Sequence, residues 1–280
     1  MASESVGALH DELTQVLAGD RGGARDLIAS LLDQPRFWPT AHRDAPVDDA
    51  LGVAARGAAV SMRQGMPFAY AVGKAAFRSL TLQVDRRVLI PRPETELLVE
   101  MALMATGRRG RIADIGTGSG AIALSLAAEG DYEAVFATDI SVDALDVARA
   151  NLSAIPPERH ERVVFRHGDL LDPIAGESVT AIVSNPPYIA NAEGAELPAS
   201  VRDWEPAGAL FSGDDGMTAI ARLISGAAAV LNQGGLLLLE IDSRRGGAAR
   251  RLAETDGRWS DVQVRPDFTG RDRFLAAHRT

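Results

Sequence analysis

Apolar residues in the first 65 positions recur at helical spacing. Val6, Leu9, Leu13, Val16 and Leu17 share one face, and Leu27, Ile28, Leu31 and Leu32 make a second. Pro35 and Pro39 interrupt the pattern, and an alanine-rich segment follows from about Val47 to Met62, with Pro46 placed for a helix start. A small all-α domain over residues 1–65 is expected, with no cluster of reactive side chains. The pattern changes at Met66. Leu80, Leu82 and Val84 alternate with Thr81 and Gln83, and Val88-Leu89-Ile90 follows a polar turn at Asp85 to Arg87, so a β-hairpin linker is expected over 66–92. Pro93-Glu94-Thr95-Glu96 opens a helix with carboxylates in its first turn, where the helix dipole favours them.

Over residues 93–280 short apolar runs alternate with helical ones. Strands are expected at Ile112–Ile115, Ala134–Ala137, Val163–Phe165, Val179–Val183 and Leu236–Ile241, and a closing hairpin from Asp261–Val264 and Arg273–Ala277. Helices are expected at Ala121–Ala128, about Val142–Leu152 and about Met217–Leu231. This alternation predicts an α/β domain with a mostly parallel sheet covered on both faces.

Composition narrows the chemistry. With 46% hydrophobic and 24% charged residues the chain reads as an ordinary globular protein, and none of its apolar runs reaches membrane-spanning length. The first residues, MASESVGALHDEL, lack the basic and apolar regions of a secretory leader. There is no cysteine, which excludes thiolate catalysis, disulfides and cysteine-held metals and fits a reducing cytoplasm. The net charge of −9 disfavours direct nucleic-acid binding. Lys74 is the only lysine, and its neighbours fit neither a phosphate-binding nor a Schiff-base motif. No histidine has metal-ligand spacing, so no metal is expected.

Candidate chemistry sits at strand ends. Asp114-Ile115-Gly116-Thr117-Gly118-Ser119-Gly120 follows the first strand of the sheet and opens a helix. Glycines there let backbone approach a ligand. Ala121 stands where the dinucleotide fingerprint needs its third glycine. Asp139, ending the next strand, is placed to accept hydrogen bonds from ribose hydroxyls; alternatively it caps the following helix, a role open to Ser141. Asp169 and Leu170 fall where an adenine contact and an apolar wall would lie.

Asn185-Pro186-Pro187-Tyr188 follows the fourth strand. An amide nitrogen is a poor nucleophile because its lone pair is delocalised. Two fixed acceptors, the Asn185 side-chain oxygen and the Pro186 carbonyl, can take its two protons and steer it toward an electrophilic methyl; the prolines preorganise them. Tyr188 can pack on the flat substrate group. Arg92 and Glu94 read as a helix-start ion pair or as substrate positioners, and Glu205 as a mouth or turn residue.

From about residue 66 to 280 the chain resembles the HemK/PrmC family of S-adenosylmethionine-dependent protein-(glutamine-N5) methyltransferases. The resemblance rests on Val88-Leu-Ile-Pro-Arg-Pro-Glu-Thr-Glu96, Asp114-Ile-Gly-Thr-Gly-Ser-Gly-Ala-Ile-Ala-Leu124, Ser184-Asn-Pro-Pro-Tyr-Ile189, Glu205-Pro-Ala-Gly-Ala-Leu210, Gly213-Asp-Asp-Gly-Met217 and Gly270-Arg-Asp-Arg273. It implies a class I methyltransferase with a Rossmann-like seven-stranded sheet, a helical N-terminal substrate-recognition domain and a hairpin linker. It implies class-1 peptide chain release factors as substrate, methylated on the Gly-Gly-Gln glutamine by a monomeric cytoplasmic enzyme. Gly116, Thr117, Gly118, Ser119, Gly120, Asp139, Asp169, Leu170 and Asn185 would then bind S-adenosyl-L-methionine, released as S-adenosyl-L-homocysteine. Asn185, Pro186, Pro187 and Tyr188 would hold the glutamine amide. The chain departs from the family pattern at Ala71 and across Glu240-Ile-Asp-Ser-Arg-Arg245. A ribosomal-protein glutamine, adenine N6 in nucleic acid and nicotinamide-dependent redox chemistry stand as rival readings.

Overall fold

The computed structural model describes residues 4–280. Two compact units divide it: one holds the chain to Lys74 together with Pro198–Trp204, the other Ala75–Leu197 and Glu205–Thr280.

The first unit is helical. Its longer helices are Val6–Val16, Arg21–Leu31 and Asp49–Arg63. Their predicted apolar faces meet: Val6, Leu9, Leu13, Leu27, Ile28, Ala55 and Ala59 form one buried cluster. Pro46 does not open the third helix. Asp48 does, its carboxylate accepting from the Leu51 amide at 2.7 Å. Residues 68–72, expected to be β-like, form a short helix between Pro67 and Gly73. Pro67 has the extended dihedrals of a helix entry, and Gly73 takes the left-handed φ of 74° that ends the helix.

A two-stranded sheet follows, β1 (Lys74–Phe77) and β2 (Leu80–Gln83). The hairpin therefore turns at Arg78-Ser79, one strand earlier than the alternation suggested. Val88–Ile90 stays irregular. Asp85 folds back on the Arg87 amide and guanidinium, and Pro91 and Pro93 bring no amide protons to a ladder. Asn151 brackets β2: its amide bonds both backbone groups of Gln83 and the Ser119 carbonyl.

The second unit contains a seven-stranded sheet of β3 (Arg109–Ile115), β4 (Asp131–Asp139), β5 (Val163–His167), β6 (Val179–Ser184), β7 (Leu231–Glu240), β8 (Trp259–Pro266) and β9 (Asp272–Arg279). The order is β5-β4-β3-β6-β7-β9-β8, parallel from β5 to β7 and closed by antiparallel β9 and β8. Successive side chains alternate between faces. Ile112, Val135, Ala181, Val183, Leu236 and Leu238 pack with Leu98, Ala102 and Leu103 of the helix Pro93–Thr106. Ala113, Ile115, Phe136, Ile182, Leu237 and Leu239 pack with Ile220, Leu223 and Ile224 of the helix Thr218–Ala227.

The helix Gly246–Asp256 had no apolar signal in the sequence. It opens on two glycines, and its buried face is small: Gly246, Ala249 and Ala253. The helix expected to reach Leu152 gives way to a 3-10 turn at Asn151–Ala154. The one expected to reach Leu231 ends at Ala227, and Leu231 already begins β7.

Gly120 joins the glycine loop to the helix Ala121–Glu129 at φ 84°, and a Cβ there would stand 3.0 Å from Leu124 and 3.3 Å from Ala148. Strained backbone and close packing add. Gly120→Ala is expected to cost about 2 kcal/mol in urea denaturation; an unchanged midpoint would contradict this.

Candidate active site

The β3-β4 and β3-β6 pairings put three strand ends in one row. Ile115 is level with Thr138 of β4 and Ser184 of β6. The next residues in each chain are therefore Gly116, Asp139 and Asn185. In an open parallel sheet this edge, where strand order reverses, is where ligands bind. The Gly116 and Thr117 amides both donate to the Thr138 carbonyl, at 2.9 and 2.8 Å, and the Ser184 hydroxyl donates to the Ile115 carbonyl at 2.6 Å.

A cavity of about 550 Å³ opens at this edge. Gly116, Thr117, Gly118, Ser119, Asp139, Asp169, Leu170, Asn185 and Pro187 line it, as do Thr95 and Arg92. Gly120, Pro186 and Tyr188 are not among its lining residues. Gly120 serves helix entry and packing, Pro186 is buried, and Tyr188 packs against the core on the Leu237–Leu239 side. Carbonyl acceptance by Pro186 needs only its backbone.

The glycine loop is shaped by two carboxylates. Asp114 is fully buried; its Oδ2 accepts from the Thr117 hydroxyl at 2.7 Å and the Ala123 amide at 3.1 Å. Its Oδ1 is buried with no partner. Burial, aided by the Asp139 charge, lifts this carboxyl to about 7 against the pull of its hydrogen bonds. Asp139 accepts from the Gly118 amide and the Ser141 amide, each at 2.9 Å. Ser141 caps the following helix, its hydroxyl accepting from Ala144, so Asp139 is not the cap. Burial holds the Asp139 carboxyl above the ordinary range, and its amide hydrogen bonds lower it.

Asp169 reaches Arg222 at 2.7 Å, a partner the sequence did not suggest. Leu170 sits at a left-handed φ of 46°. Arg92 pairs with Glu205 at 2.6 Å rather than with Glu94. Glu205 is 1% exposed at its side chain, and its Oε2 has no partner. Arg245, one of the family departures, pins the loop beside the site, donating to the Asp215 carbonyl at 2.8 Å and to Glu193 at 2.7 Å. Ala71 packs against the helical core.

Two site residues escaped sequence reasoning. Thr95 donates its hydroxyl proton to Glu240 Oε2 at 2.7 Å, and Asn185 Nδ2 donates to Thr95 Oγ1 at 3.1 Å. Thr95 lies within the Val88–Glu96 motif, where residue type alone assigns it no role. Glu240 carried the same signal as Asp139, a carboxylate at the end of a parallel strand.

A Cβ at Gly116 or Gly118 would meet nothing within 4 Å, so ligand can approach the backbone there. Asp139 retains acceptor capacity beyond its two amide donors. No group of described residues has the make-up of a metal site.

Residues 93–199 match the family model of the methyltransferase small domain. Among curated relatives, the release factor glutamine methyltransferase of Xylella fastidiosa is 41% identical over 256 residues, 91% of either chain. That of Moorella thermoacetica is 46% identical over 217 residues, 77% of this chain and 76% of its own. Among solved structures, the hMettl16 catalytic domain in complex with MAT2A 3'UTR hairpin 6 superposes with a TM-score of 0.58 at 15% identity, covering 90% of this chain and 92% of that one. A methyltransferase from Pyrococcus furiosus gives 0.51 at 20% identity, covering 72% and 90%. These structures speak to the fold, a class I methyltransferase α/β architecture.

Asp139→Asn puts an NH2 in place of one of the two oxygens that accept from the Gly118 and Ser141 amides, so one amide loses its acceptor while the burial cost of the charge is relieved. Asp139→Asn is expected to weaken binding of a ribose-bearing ligand about tenfold or more by calorimetry. Stability at pH 8 should fall by no more than about 3 kcal/mol, the upper cost of a buried amide left without its acceptor. Unchanged affinity would contradict the assignment.

Proposed function

Because the chain belongs to the release factor glutamine methyltransferase family, we propose that it methylates the side-chain N5 of the Gly-Gly-Gln glutamine in class-1 peptide chain release factors, with S-adenosyl-L-methionine as donor. The observation that carries this reading is the row of Gly116, Asp139 and Asn185 on one cavity at the strand ends.

In this reading Gly116 to Ser119 receive the methionine part of the cofactor, Asp139 its ribose, and Asp169 and Leu170 its adenine, while Gly120 shapes the turn into the helix. Bound there, the cofactor supplies an electrophilic methyl on sulfur. Asn185 Oδ1 and the Pro186 carbonyl accept the two amide protons of the substrate glutamine and hold its nitrogen toward that methyl. Pro187 lines the approach, and Tyr188 supports the loop from the core side. No strong base is required, because the nitrogen becomes acidic once it is alkylated. Water or a nearby acceptor takes the proton.

The net charge of −9 supports a protein substrate over nucleic acid, and the lack of cysteine fits a reducing cytoplasm. No helix among the described residues is long and apolar enough to cross a membrane. The helical unit, with no role in the chemistry, would supply surface for recognising the release factor.

Mass spectrometry of a purified release factor after incubation with enzyme and cofactor is expected to find one added methyl on the Gly-Gly-Gln peptide, and none on ribosomal subunits treated alongside. Methyl on the ribosomal subunits instead would overturn the substrate assignment. Asn185→Ala should lower kcat by about 100-fold or more with cofactor binding retained; near-normal turnover would contradict the amide clamp.

A further inference from the structure

The amide clamp works only if Asn185 presents its oxygen to the substrate. A carboxamide turned by half a revolution would offer an NH2 group to the substrate's own NH2, two donors facing each other. Something must choose between these orientations.

Thr95 and Glu240 make the choice. Both are buried, at 4% and 1% exposure, at the same edge of the sheet. A hydroxyl has one proton to give, and a carboxylate can only accept. Glu240 Oε2 therefore takes the Thr95 proton at 2.7 Å, and Thr95 Oγ1 meets Asn185 solely as an acceptor, at 3.1 Å. Only the Nδ2 end of Asn185 can satisfy it. The Asn185 atom that Thr95 does not engage is Oδ1. We propose that Glu240, acting through Thr95, is a positioning residue that fixes the orientation of the Asn185 carboxamide; this rests on reading Asn185 as the amide clamp.

A structural role alone is a poor account of Glu240. The residues before it on β7, Leu236 to Leu239, are apolar, and a buried carboxylate costs free energy that an apolar side chain would not. Burial lifts its carboxyl to about 7, with Glu94 adding to the rise. The Thr95 hydrogen bond, Arg273 and the Tyr188 hydroxyl, 3.5 Å from Oε1, hold it down. Burial and the Glu240 charge raise the Tyr188 hydroxyl, and Arg273, Arg92 and Asp242 also act on it. Below the Glu240 midpoint a protonated acid can itself donate to Thr95. Thr95 is then free to donate to Asn185, and both amide orientations open.

Steady-state kinetics of Glu240→Gln, Thr95→Val and Thr95→Ser against the full-length enzyme, with release factor as substrate, test this. Glu240→Gln and Thr95→Val are expected to lower kcat about tenfold, the rate equivalent of one net hydrogen bond. The KM for release factor and the cofactor affinity by calorimetry should stay within about twofold, as expected when an interaction is lost only in the transition state. Thr95→Ser, which keeps the hydroxyl, should remain within about twofold of wild-type kcat by the same reasoning. The wild-type kcat should fall as pH drops through about 7, and Glu240→Gln should lose the part of this fall that Glu240 causes, leaving only that of Asp114. Thr95→Val reads the same link should the Gln variant fail to fold. Wild-type kcat in Thr95→Val, a Thr95→Ser as slow as Thr95→Val, or an unchanged acid limb in Glu240→Gln would overturn the proposal. A second readout needs no turnover: the Asn185 side-chain amide resonances should titrate with Glu240 in the wild type and stay fixed in Glu240→Gln. Titration that persists in the variant overturns the positioning role. A wild-type enzyme that leaves Gly-Gly-Gln unmethylated overturns the functional reading instead.

Discussion

The register of three parallel strands is the constraint on which the site depends. Ile115 stands level with Thr138 and with Ser184, and from that row the chain delivers Gly116, Asp139 and Asn185 to a single edge. A slip of one residue would turn every side chain of the slipped strand to the opposite face. Close packing of both apolar faces of β3, β4 and β6 under helices resists it, because the side chains on the two faces differ in size and shape. Short hydrogen bonds lock the ends: Gly116 and Thr117 on the Thr138 carbonyl, Ser184 on the Ile115 carbonyl. Chemistry here is placed by packing that lies several residues away from it.

The same edge gathers carboxylates whose charge is disfavoured by burial. Asp114 and Glu240 are lifted to about 7, and Asp139 is raised as well, in each case mainly by burial. Groups raised in this way contribute stability that is present in mild acid and lost as pH climbs through their folded midpoints. At and above neutrality their charges oppose folding. What they supply in return is polarity: Asp114 and Asp139 orient the glycine loop, and Glu240 accepts from Thr95. Buried polarity of this kind is a common cost at functional sites.

Much of this was legible in the sequence. Apolar periodicity located the helical unit and the strands of the sheet, because both faces of each inner strand are buried and so carry a strong signal. Asn185-Pro-Pro-Tyr and the glycine loop announced themselves by residue type at strand ends. The hairpin was misplaced by one strand, since Val88 is buried within an irregular segment and so mimics strand alternation. The helix Gly246–Asp256 was silent because alanines and glycine suffice to fill its narrow seat. Thr95 and Glu240 lie 145 positions apart, and only the packing of the helix Pro93–Thr106 on the sheet brings them together. Arg92 found Glu205 at similar remove, where proximity in the chain had suggested Glu94.

A crystal structure of the enzyme with S-adenosyl-L-homocysteine and a Gly-Gly-Gln release factor domain tests the central claim most directly. The account predicts the glutamine nitrogen within hydrogen-bonding distance of Asn185 Oδ1 and the Pro186 carbonyl, facing the cofactor sulfur, with Asn185 Nδ2 still on Thr95. A glutamine amide bound elsewhere, or an Asn185 that has released Thr95 and turned its nitrogen toward the substrate, would contradict it.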